Sequence, residues 1–428
     1  MKVKNWNELT DKKKTALLQR PAQAMSDLST QVADILQTVK EQGDQALLDY
    51  TKRFDQVAVE ELRVSCTDID RAEAQVDDEV KQSLQLAAKR IKHYQGACLP
   101  KEITVDTQDG VVCKRRPVAI DAVGLYVPGG SAPLLSTLLM LAIPARIAGC
   151  PITVLCTPPN RSGEIDPALL LAAKICGIET IFKVGGAQAI AAMAYGTESI
   201  PKVNKIFGPG NAWVTEAKTQ VAMQQTAIDM PAGPSEILVI ADQAANPEFV
   251  AADLLSQAEH GPDSQVVLVT DSDMMIEKVL ASVEQQLQSL SRQAIAKQAL
   301  VNSVAIQVAS IAEAIQVSNR YAPEHLSLQV SNPETYTDQI INAGAVFVGA
   351  WTPETMGDYL NGSNHVLPTY ACANRMSGLS VSDFMKYISI QTVSQQALRN
   401  YGPAAMCLAA TEGLSAHQNA VKIRLEAA

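Results

Sequence analysis

From about residue 120 onward, short apolar runs alternate with stretches of helical periodicity. The first β-rich runs lie at 152–156, 180–184 and 205–208, and amphipathic helical segments separate them. Such alternation predicts right-handed crossover connections and a mostly parallel sheet. The same rhythm returns between residues 236 and 349. The pattern therefore predicts an α/β protein built from two layers of related design.

The segments that flank these layers are predicted to be helical. Residues 29–54 have apolar positions at helical spacing, interrupted at Gly43, which predicts two amphipathic helices. Beyond about Ser380 no strand pattern is visible, and a helical tail without a sheet of its own can bury little apolar surface. We therefore expect the tail to dock elsewhere, such as on a partner subunit.

These patterns divide the chain into predicted domains. The domains are a helical arm (1–24), a discontinuous α/β domain (25–126 and 237–379), an α/β domain inserted into it (127–236) and a helical tail (380–428).

Composition narrows the range of functions. A chain of 428 residues is too long for one ordinary core, and its net charge of −10 without a basic stripe argues against a nucleic-acid partner. The first residues lack the apolar run of a signal peptide. The apolar stretch 134–150 is interrupted by Pro144 and is too short to cross a membrane, so we expect a buried helix there. Eight cysteines without close pairing favour reduced thiols in a cytoplasmic enzyme.

Histidine is scarce in this chain, and its placement is uneven. Only five histidines occur, and four of them follow position 255 in polar, turn-rich segments: His260, His325, His365 and His417. Histidine is a common metal ligand and exchanges protons near neutral pH. The clustering predicts one reaction centre, and the alternative is a set of unrelated surface histidines.

One set of polar residues has the chemistry of a metal site. Gln257 and His260 lie three residues apart at the end of a predicted helix, so both can face one ion. Asp358 can add a carboxylate from a glycine-flanked loop, and His417 can add a second imidazole from the tail. This set suits Zn²⁺, with Mn²⁺ and Co²⁺ as alternatives. The competing interpretation makes Gln257 a solvated amide and Asp358 a turn or capping acid.

A second set could transfer protons. Glu324 and His325 are adjacent, and Pro323 disfavours helix at Ala322, which predicts an exposed loop. Two groups of different basicity suit a reaction with two proton transfers. A solvent-facing turn with incidental charges is the alternative.

Three glycine turns follow strands and precede helices, at 124–133, 183–190 and 207–214. Backbone N–H groups and a helix N-terminus can hold a pyrophosphate at such places. None of the turns matches the GxGxxG fingerprint of dinucleotide-binding folds, so ordinary tight turns remain an alternative. A further connector, 229–237, leads into the second layer and carries Ser235.

From about residue 15 to its C-terminus, the chain resembles the histidinol dehydrogenase family. The resemblance lies in an ordered series of motifs: VGLYVPGGSAPL, KVGGAQAI, KIFGPGNAWVTEAK, IDMPAGPSE, DLLSQAEHGPDSQ, APEHL, GDYLNGSNHVLPT, SGLSVSDF and EGLSAHQNA. It implies NAD-dependent oxidation of L-histidinol to L-histidine through L-histidinal, the last two steps of histidine biosynthesis. It also implies a homodimer with one zinc ion per subunit. The implied fold is two incomplete Rossmann-like domains of the aldehyde-dehydrogenase type.

The resemblance also implies roles for matching residues. The zinc ligands would be Gln257, His260, Asp358 and, from the other subunit, His417, while Glu324 and His325 would be catalytic. NAD would contact Tyr126, Gln188 and Asn211. The substrate would contact the zinc ligands and His325, together with Ser235, His365 and Glu412.

Two departures from the family pattern leave these residues intact. Ala322 stands where glycine is frequent, and an extra segment at 158–166 is expected to lengthen a surface loop. Two other functions compete with histidinol oxidation: an oxidoreductase of this family acting on another amino or sulfonated alcohol, and a metal-dependent hydrolase that needs no NAD.

Overall fold

The computed structural model describes residues 1–20, 26–129, 133–230 and 233–427, with the backbone alone for Ser26 and Asp27. Within these ranges the strands are β1 (Lys2–Asn5), β2 (Ile103–Gln108), β3 (Val111–Ala119), β4 (Ala122–Tyr126), β5 (Ile152–Thr157), β6 (Ile181–Lys183), β7 (Lys205–Phe207), β8 (Ala227–Ile228), β9 (Glu236–Ala241), β10 (Gln265–Thr270), β11 (Val304–Gln307), β12 (His325–Gln329), β13 (Ala345–Val348) and β14 (Met385–Val393).

The α-helices in the same ranges are α1 (Asp11–Leu17), α2 (Ser26–Gln42), α3 (Asp44–Tyr50), α4 (Cys66–Ala72), α5 (Asp78–Ala97), α6 (Leu135–Ala148), α7 (Pro167–Cys176), α8 (Gly186–Tyr195), α9 (Ala212–Ala222), α10 (Pro247–Ala258), α11 (Asp273–Leu287), α12 (Gln293–Val301), α13 (Ile311–Tyr321), α14 (Glu354–Tyr359), α15 (Gln395–Thr411) and α16 (Ser415–Glu426). None of the helices in the described ranges is both long enough and apolar enough to cross a bilayer.

A five-stranded sheet in the order β6-β5-β4-β7-β8 has only parallel neighbours. Helices α5, α6 and α7 contribute to the core on one face, and α2, α8 and α9 contribute to the core on the other. The apolar stretch at 134–150 forms the buried helix α6, as predicted. Because both faces are covered, the central strands are continuously apolar, which is why β5, β6 and β7 could be predicted from the sequence.

A six-stranded parallel sheet has the order β1-β11-β10-β9-β12-β13. Alternate side chains of β9 point to opposite faces, as in any strand. Ile237 and Val239 pack with helices α10 and α11, whereas Leu238 and Ile240 pack with α13 and with Trp6 of the N-terminal arm. The prediction of an α/β fold with parallel sheets and helical termini is confirmed.

The tail, however, was wrongly expected to contain no strand. Residues Met385–Val393 form β14, which pairs antiparallel with β3 in a three-stranded sheet, β14-β3-β2. Most of β14 is exposed, so it lacks the apolar alternation that would have identified it. The arm likewise contains a strand, β1, beside β11. The insertion of one domain into the other stays a prediction. Near its two predicted boundaries, β4 belongs to the five-stranded sheet and β9 belongs to the six-stranded sheet.

Candidate active site

A cavity of about 1500 Å³ lies between the two parallel sheets. The six-stranded sheet contributes the segments just before β9 and β12, which are the amino ends of those strands. The five-stranded sheet contributes the turns just after β4 and β7, at the carboxyl ends where ligands of α/β proteins commonly bind. The cavity therefore joins residues from the predicted metal, acid–base and nucleotide groups.

His325 is the first residue of β12, and its strand neighbours are Ile237 and Ala345. Its Nδ1 lies 2.9 Å from the backbone oxygen of Glu236, which can only accept a hydrogen bond, so Nδ1 carries a proton. In the neutral ring Nε2 is then free to accept a proton. This atom faces Oε1 of Glu354 and Oδ1 of Asp358, each 3.7 Å away.

Glu324 lies beside His325, with its Oε2 3.6 Å from Nδ1 of the imidazole. Oε2 accepts a hydrogen bond of 2.9 Å from the backbone N–H of Glu236. Burial raises the pKa of Glu324 to about 8. Burial by itself would lower the pKa of His325, but the carboxylates of Glu324 and Asp358 outweigh it and raise that pKa to about 10.

The expected exposed loop at this pair was wrong, because Glu324 and His325 are only 7% and 3% exposed. Helix α13 ends in the left-handed residue Ala322, with φ of 52°, and the chain then turns directly into the sheet. That turn places both side chains inside the protein. Burial excludes the alternative of a solvent-facing turn with incidental charges.

Helix α14 brings two carboxylates to Nε2 of His325. Glu354 and Asp358 lie four residues apart and therefore share one face of the helix. The three side chains place ligand atoms within 4.8 Å of one another, an arrangement that could hold a metal ion. Glu354 was not predicted, although its spacing from Asp358 was a signal that could have identified it. Burial raises the pKa of Glu354, whereas the nearby imidazole of His325 overcomes burial and lowers the pKa of Asp358.

Gln257 lies in the last turn of α10 and is fully buried. Neither its amide oxygen nor its amide nitrogen has a hydrogen-bond partner among the described residues. A buried polar group without a partner is costly, so this amide fits a ligand that the protein alone does not supply. Its burial also contradicts the alternative of a solvated amide.

His260 follows the end of α10 and lines the cavity, where its Nδ1 lies 3.0 Å from Oγ of Ser235. His365 is held by two contacts. Its Nδ1 lies 3.0 Å from the backbone oxygen of Asp358, and its Nε2 lies 2.9 Å from Oγ1 of Thr137 on α6. Ser235, His260, Asp358 and His365 therefore meet at one cavity wall, as a common reaction centre requires.

Two expected site residues lie elsewhere in this chain. His417, on α16, and Glu412, after α15, are exposed, and neither is among the described residues that line the cavity. Their roles stay predictions that depend on a second copy of the chain.

A second cavity, of about 780 Å³, is lined by all three residues expected to contact NAD: Tyr126, Gln188 and Asn211. The Tyr126 hydroxyl accepts a hydrogen bond of 3.0 Å from the N–H of Gly186, in the second glycine turn. Asn211 caps helix α9 and lines both cavities. The extra segment 158–166 contributes to this wall as well. Residues 130–132 of the first turn and 231–232 of the later connector lie outside the described residues.

Comparison with known proteins matches the sequence resemblance. The family model described as histidinol dehydrogenase matches residues 18–425. The chain belongs to the histidinol dehydrogenase family. It is 52% identical to the histidinol dehydrogenase of Colwellia psychrerythraea, across 99% of this chain and 98% of that protein. The crystal structure of histidinol dehydrogenase from Elizabethkingia anophelis superposes with a TM-score of 0.96 at 48% identity, covering 100% of this chain and 98% of that one.

A relative of different length shows the same match. The putative histidine biosynthesis bifunctional protein HisCD of Photorhabdus laumondii is 51% identical over 99% of this chain, which spans 52% of that longer protein. The resemblance predicted from the sequence motifs is therefore confirmed, and the chain is an oxidoreductase of this family.

Proposed function

We propose that this chain oxidises L-histidinol to L-histidine through L-histidinal, with two NAD⁺ reduced and a zinc ion positioning the substrate. These are the last two steps of histidine biosynthesis. Family membership supports the reaction. The observation that carries the site is the buried, unpartnered amide of Gln257 beside the cluster of His325, Glu354 and Asp358.

Gln257, His260 and Asp358 would hold the zinc ion, with His417 supplied by a second copy of the chain. This ligand set combines imidazole, amide and carboxylate, which is borderline chemistry that zinc accepts. When bound, the ion supplies positive charge that orients the imidazole and amine of the substrate and offsets the charge of Asp358. The substrate contacts would be completed by Ser235, His365 and Glu412.

His325 is the base for the alcohol. The carboxylates that raise its pKa to about 10 include Asp358, and zinc held by Asp358 would offset that charge and favour the neutral ring. Its protonated Nδ1 is anchored on Glu236, so Nε2 takes the hydroxyl proton as the substrate carbon loses a hydride to NAD⁺. Glu324, buried next to His325, then takes a proton from the water that attacks the aldehyde, while His325 returns its proton to the carbonyl oxygen, which completes the hydrate and leaves the imidazole neutral again. His325 accepts the second hydroxyl proton when the hydrate is oxidised. Positioned acid–base groups typically contribute about 10²–10⁴-fold in rate.

The dinucleotide would occupy the second cavity, in contact with Tyr126, Gln188 and Asn211. Asn211 borders both cavities, so a nicotinamide placed beside it could approach the substrate. The assembly would be a homodimer, because His417 and Glu412 are not among the described residues that line the cavity of their own chain.

The deciding experiment follows NADH absorbance while the purified protein converts histidinol in the presence of NAD⁺ and zinc. We expect two NADH for each histidine formed, loss of the reaction with a chelator, and recovery when zinc is restored. A yield of one NADH with accumulation of the aldehyde would contradict the four-electron reaction. An unchanged rate after complete removal of the metal would contradict the role of zinc.

A further inference from the structure

The two proposed catalytic side chains are both anchored on the backbone of a single residue, Glu236. Its N–H donates to Oε2 of Glu324, and its carbonyl oxygen accepts from Nδ1 of His325, each over 2.9 Å. Any shift of Glu236 would therefore displace the base and the water-activating carboxylate together. Both proposed proton transfers thus depend on side chains that the backbone of Glu236 holds in place.

Arg20, in the N-terminal arm, forms two hydrogen bonds with the side chain of Glu236. Nε of Arg20 donates to Oε1 over 2.9 Å, and a terminal guanidinium nitrogen donates to Oε2 over 2.6 Å. The side chains of Arg20 and Glu236 are 9% and 2% exposed, so water competes little for this contact. Such a bidentate contact fixes the orientation of the Glu236 carboxylate as well as its distance from the guanidinium.

Arg20 also hydrogen-bonds to the backbone just before Glu324 and His325. Its guanidinium donates to the backbone oxygen of Tyr321 over 2.7 Å and to that of Ala322 over 3.3 Å. The guanidinium carbon lies 3.6 Å from the centre of the Tyr321 ring. One side chain thus ties the start of β9 to the turn before β12.

We propose that Arg20 is a positioning residue that sets the geometry of Glu324 and His325 through Glu236. This inference rests on the proposed function and adds a role for the N-terminal arm. A buried ion pair is a poor source of net stability, because desolvation offsets most of its attraction. Accurate placement of reacting groups, in contrast, can change a rate on the order of a hundredfold.

Arg320 provides a matched control. It also joins the body of the protein to the arm, by a hydrogen bond of 2.5 Å to Oγ1 of Thr15 and by its approach to the Trp6 ring at 6.0 Å. Among the described residues its contacts do not include Glu236, and although it lines the cavity it is not one of the proposed catalytic, metal or substrate contacts. Arg320→Ala therefore loosens the docking of the arm but leaves the anchor of the catalytic pair in place.

The test compares Arg20→Ala, Arg20→Lys and Arg320→Ala with the wild type in the full-length, zinc-loaded protein. We expect Arg20→Ala to lower kcat about ten- to a hundredfold with both histidinol and histidinal, with KM for histidinol and zinc content close to wild type. Added guanidinium ion should restore part of the kcat of Arg20→Ala. Arg320→Ala should keep its kcat and show no response to guanidinium.

Arg20→Lys keeps the positive charge but loses the bidentate contact, so its kcat should also be lower than that of the wild type. If Arg20→Ala does not fold, Arg20→Lys serves as the test variant. An unchanged kcat in the Arg20 variants of an active enzyme would overturn the positioning role alone. That role would also be overturned if Arg320→Ala lost as much activity, or if zinc were lost in parallel. A wild type that does not oxidise histidinol would overturn the proposed function and this role with it.

Discussion

The hydroxyl of Ser256 donates a hydrogen bond of 2.9 Å to Oε2 of Glu354, and the other carboxylate oxygen of Glu354 has no hydrogen-bond partner among the described residues. Ser256 precedes the proposed ligand Gln257 on α10, while Glu354 precedes Asp358 by one turn of α14. The contact therefore joins the two helices that carry proposed zinc ligands. It fixes the direction of the free oxygen, Oε1, toward Nε2 of His325.

We expect Glu354→Gln to weaken zinc binding by about 10–100-fold, the usual effect of changing a group that orients metal ligands. The amide keeps the volume of the side chain but removes its negative charge from the cluster. The zinc dissociation constant can be measured by competition with a chromogenic chelator. Ser256→Ala should give a smaller loss of the same kind.

Glu248→Gln is the matched control, because Glu248 is an exposed residue in the first turn of the same helix α10. Its zinc affinity should equal that of the wild type. If Glu354→Gln also binds zinc as tightly as the wild type, Glu354 has no part in organising the metal centre.

The two proposed proton-transfer groups should separate when the half-reactions are measured individually. His325→Asn removes the atom that takes the hydroxyl proton, so oxidation of histidinol should fall by about 10²–10⁴-fold. Glu324→Gln should slow oxidation of histidinal more than oxidation of histidinol, because only the aldehyde step needs activated water. Steady-state rates with each substrate provide the measurement.

Either of two results would contradict this assignment. A wild-type rate of alcohol oxidation in His325→Asn would exclude that imidazole as the base. Equal losses with both substrates in Glu324→Gln would show that the carboxylate does not act chiefly on the aldehyde.

Several of the parallel strands and their helices could be predicted because burial on both faces leaves a continuous apolar run, as in β9 and β10. The exposed strand β14 carries no such signal, since backbone pairing with β3 forms it without a buried face. Local pattern therefore overlooks strands at the surface, and it also missed the buried strands β11 and β12.

For the site, too, the sequence identified some features and missed others. Motifs identified Glu324 and His325, but the left-handed turn at Ala322 that buries them depends on the packing of the whole sheet. The pairing of Arg20 with Glu236 spans 216 residues of sequence, and no local periodicity encodes such a contact. Contacts of this kind become visible only once the chain is folded.

Tyr126→Phe should weaken dinucleotide binding without affecting zinc. The phenol is buried and accepts the hydrogen bond of Gly186 N–H, so its loss leaves a donor in the glycine turn without its acceptor. We expect a several-fold higher KM for NAD⁺ and a stability loss of about 1–3 kcal/mol. Initial rates at varied NAD⁺ and a urea unfolding curve measure the two effects.

Tyr195→Phe controls for removal of a phenolic hydroxyl. Among the described residues, that hydroxyl hydrogen-bonds only to the exposed amide of Gln224, over 3.3 Å. It should leave KM for NAD⁺ at the wild-type value. A Tyr126→Phe protein with wild-type KM would argue that the second cavity does not bind the dinucleotide.

Ala322→Gly should change the stability of the protein little, although the substitution removes a buried methyl group. An L-residue in the left-handed region costs about 1–2 kcal/mol, and Ala322 has φ of 52°. Glycine relieves that strain but costs about 0.5–1 kcal/mol in backbone entropy. Loss of the buried methyl group costs about 0.8 kcal/mol more, so the net change should lie close to zero. Ala314→Gly, within the same helix α13, should instead destabilise by about 1 kcal/mol, because that buried alanine has ordinary helical geometry. Urea midpoints that fall equally in both variants would show that the turn before Glu324 is not strained.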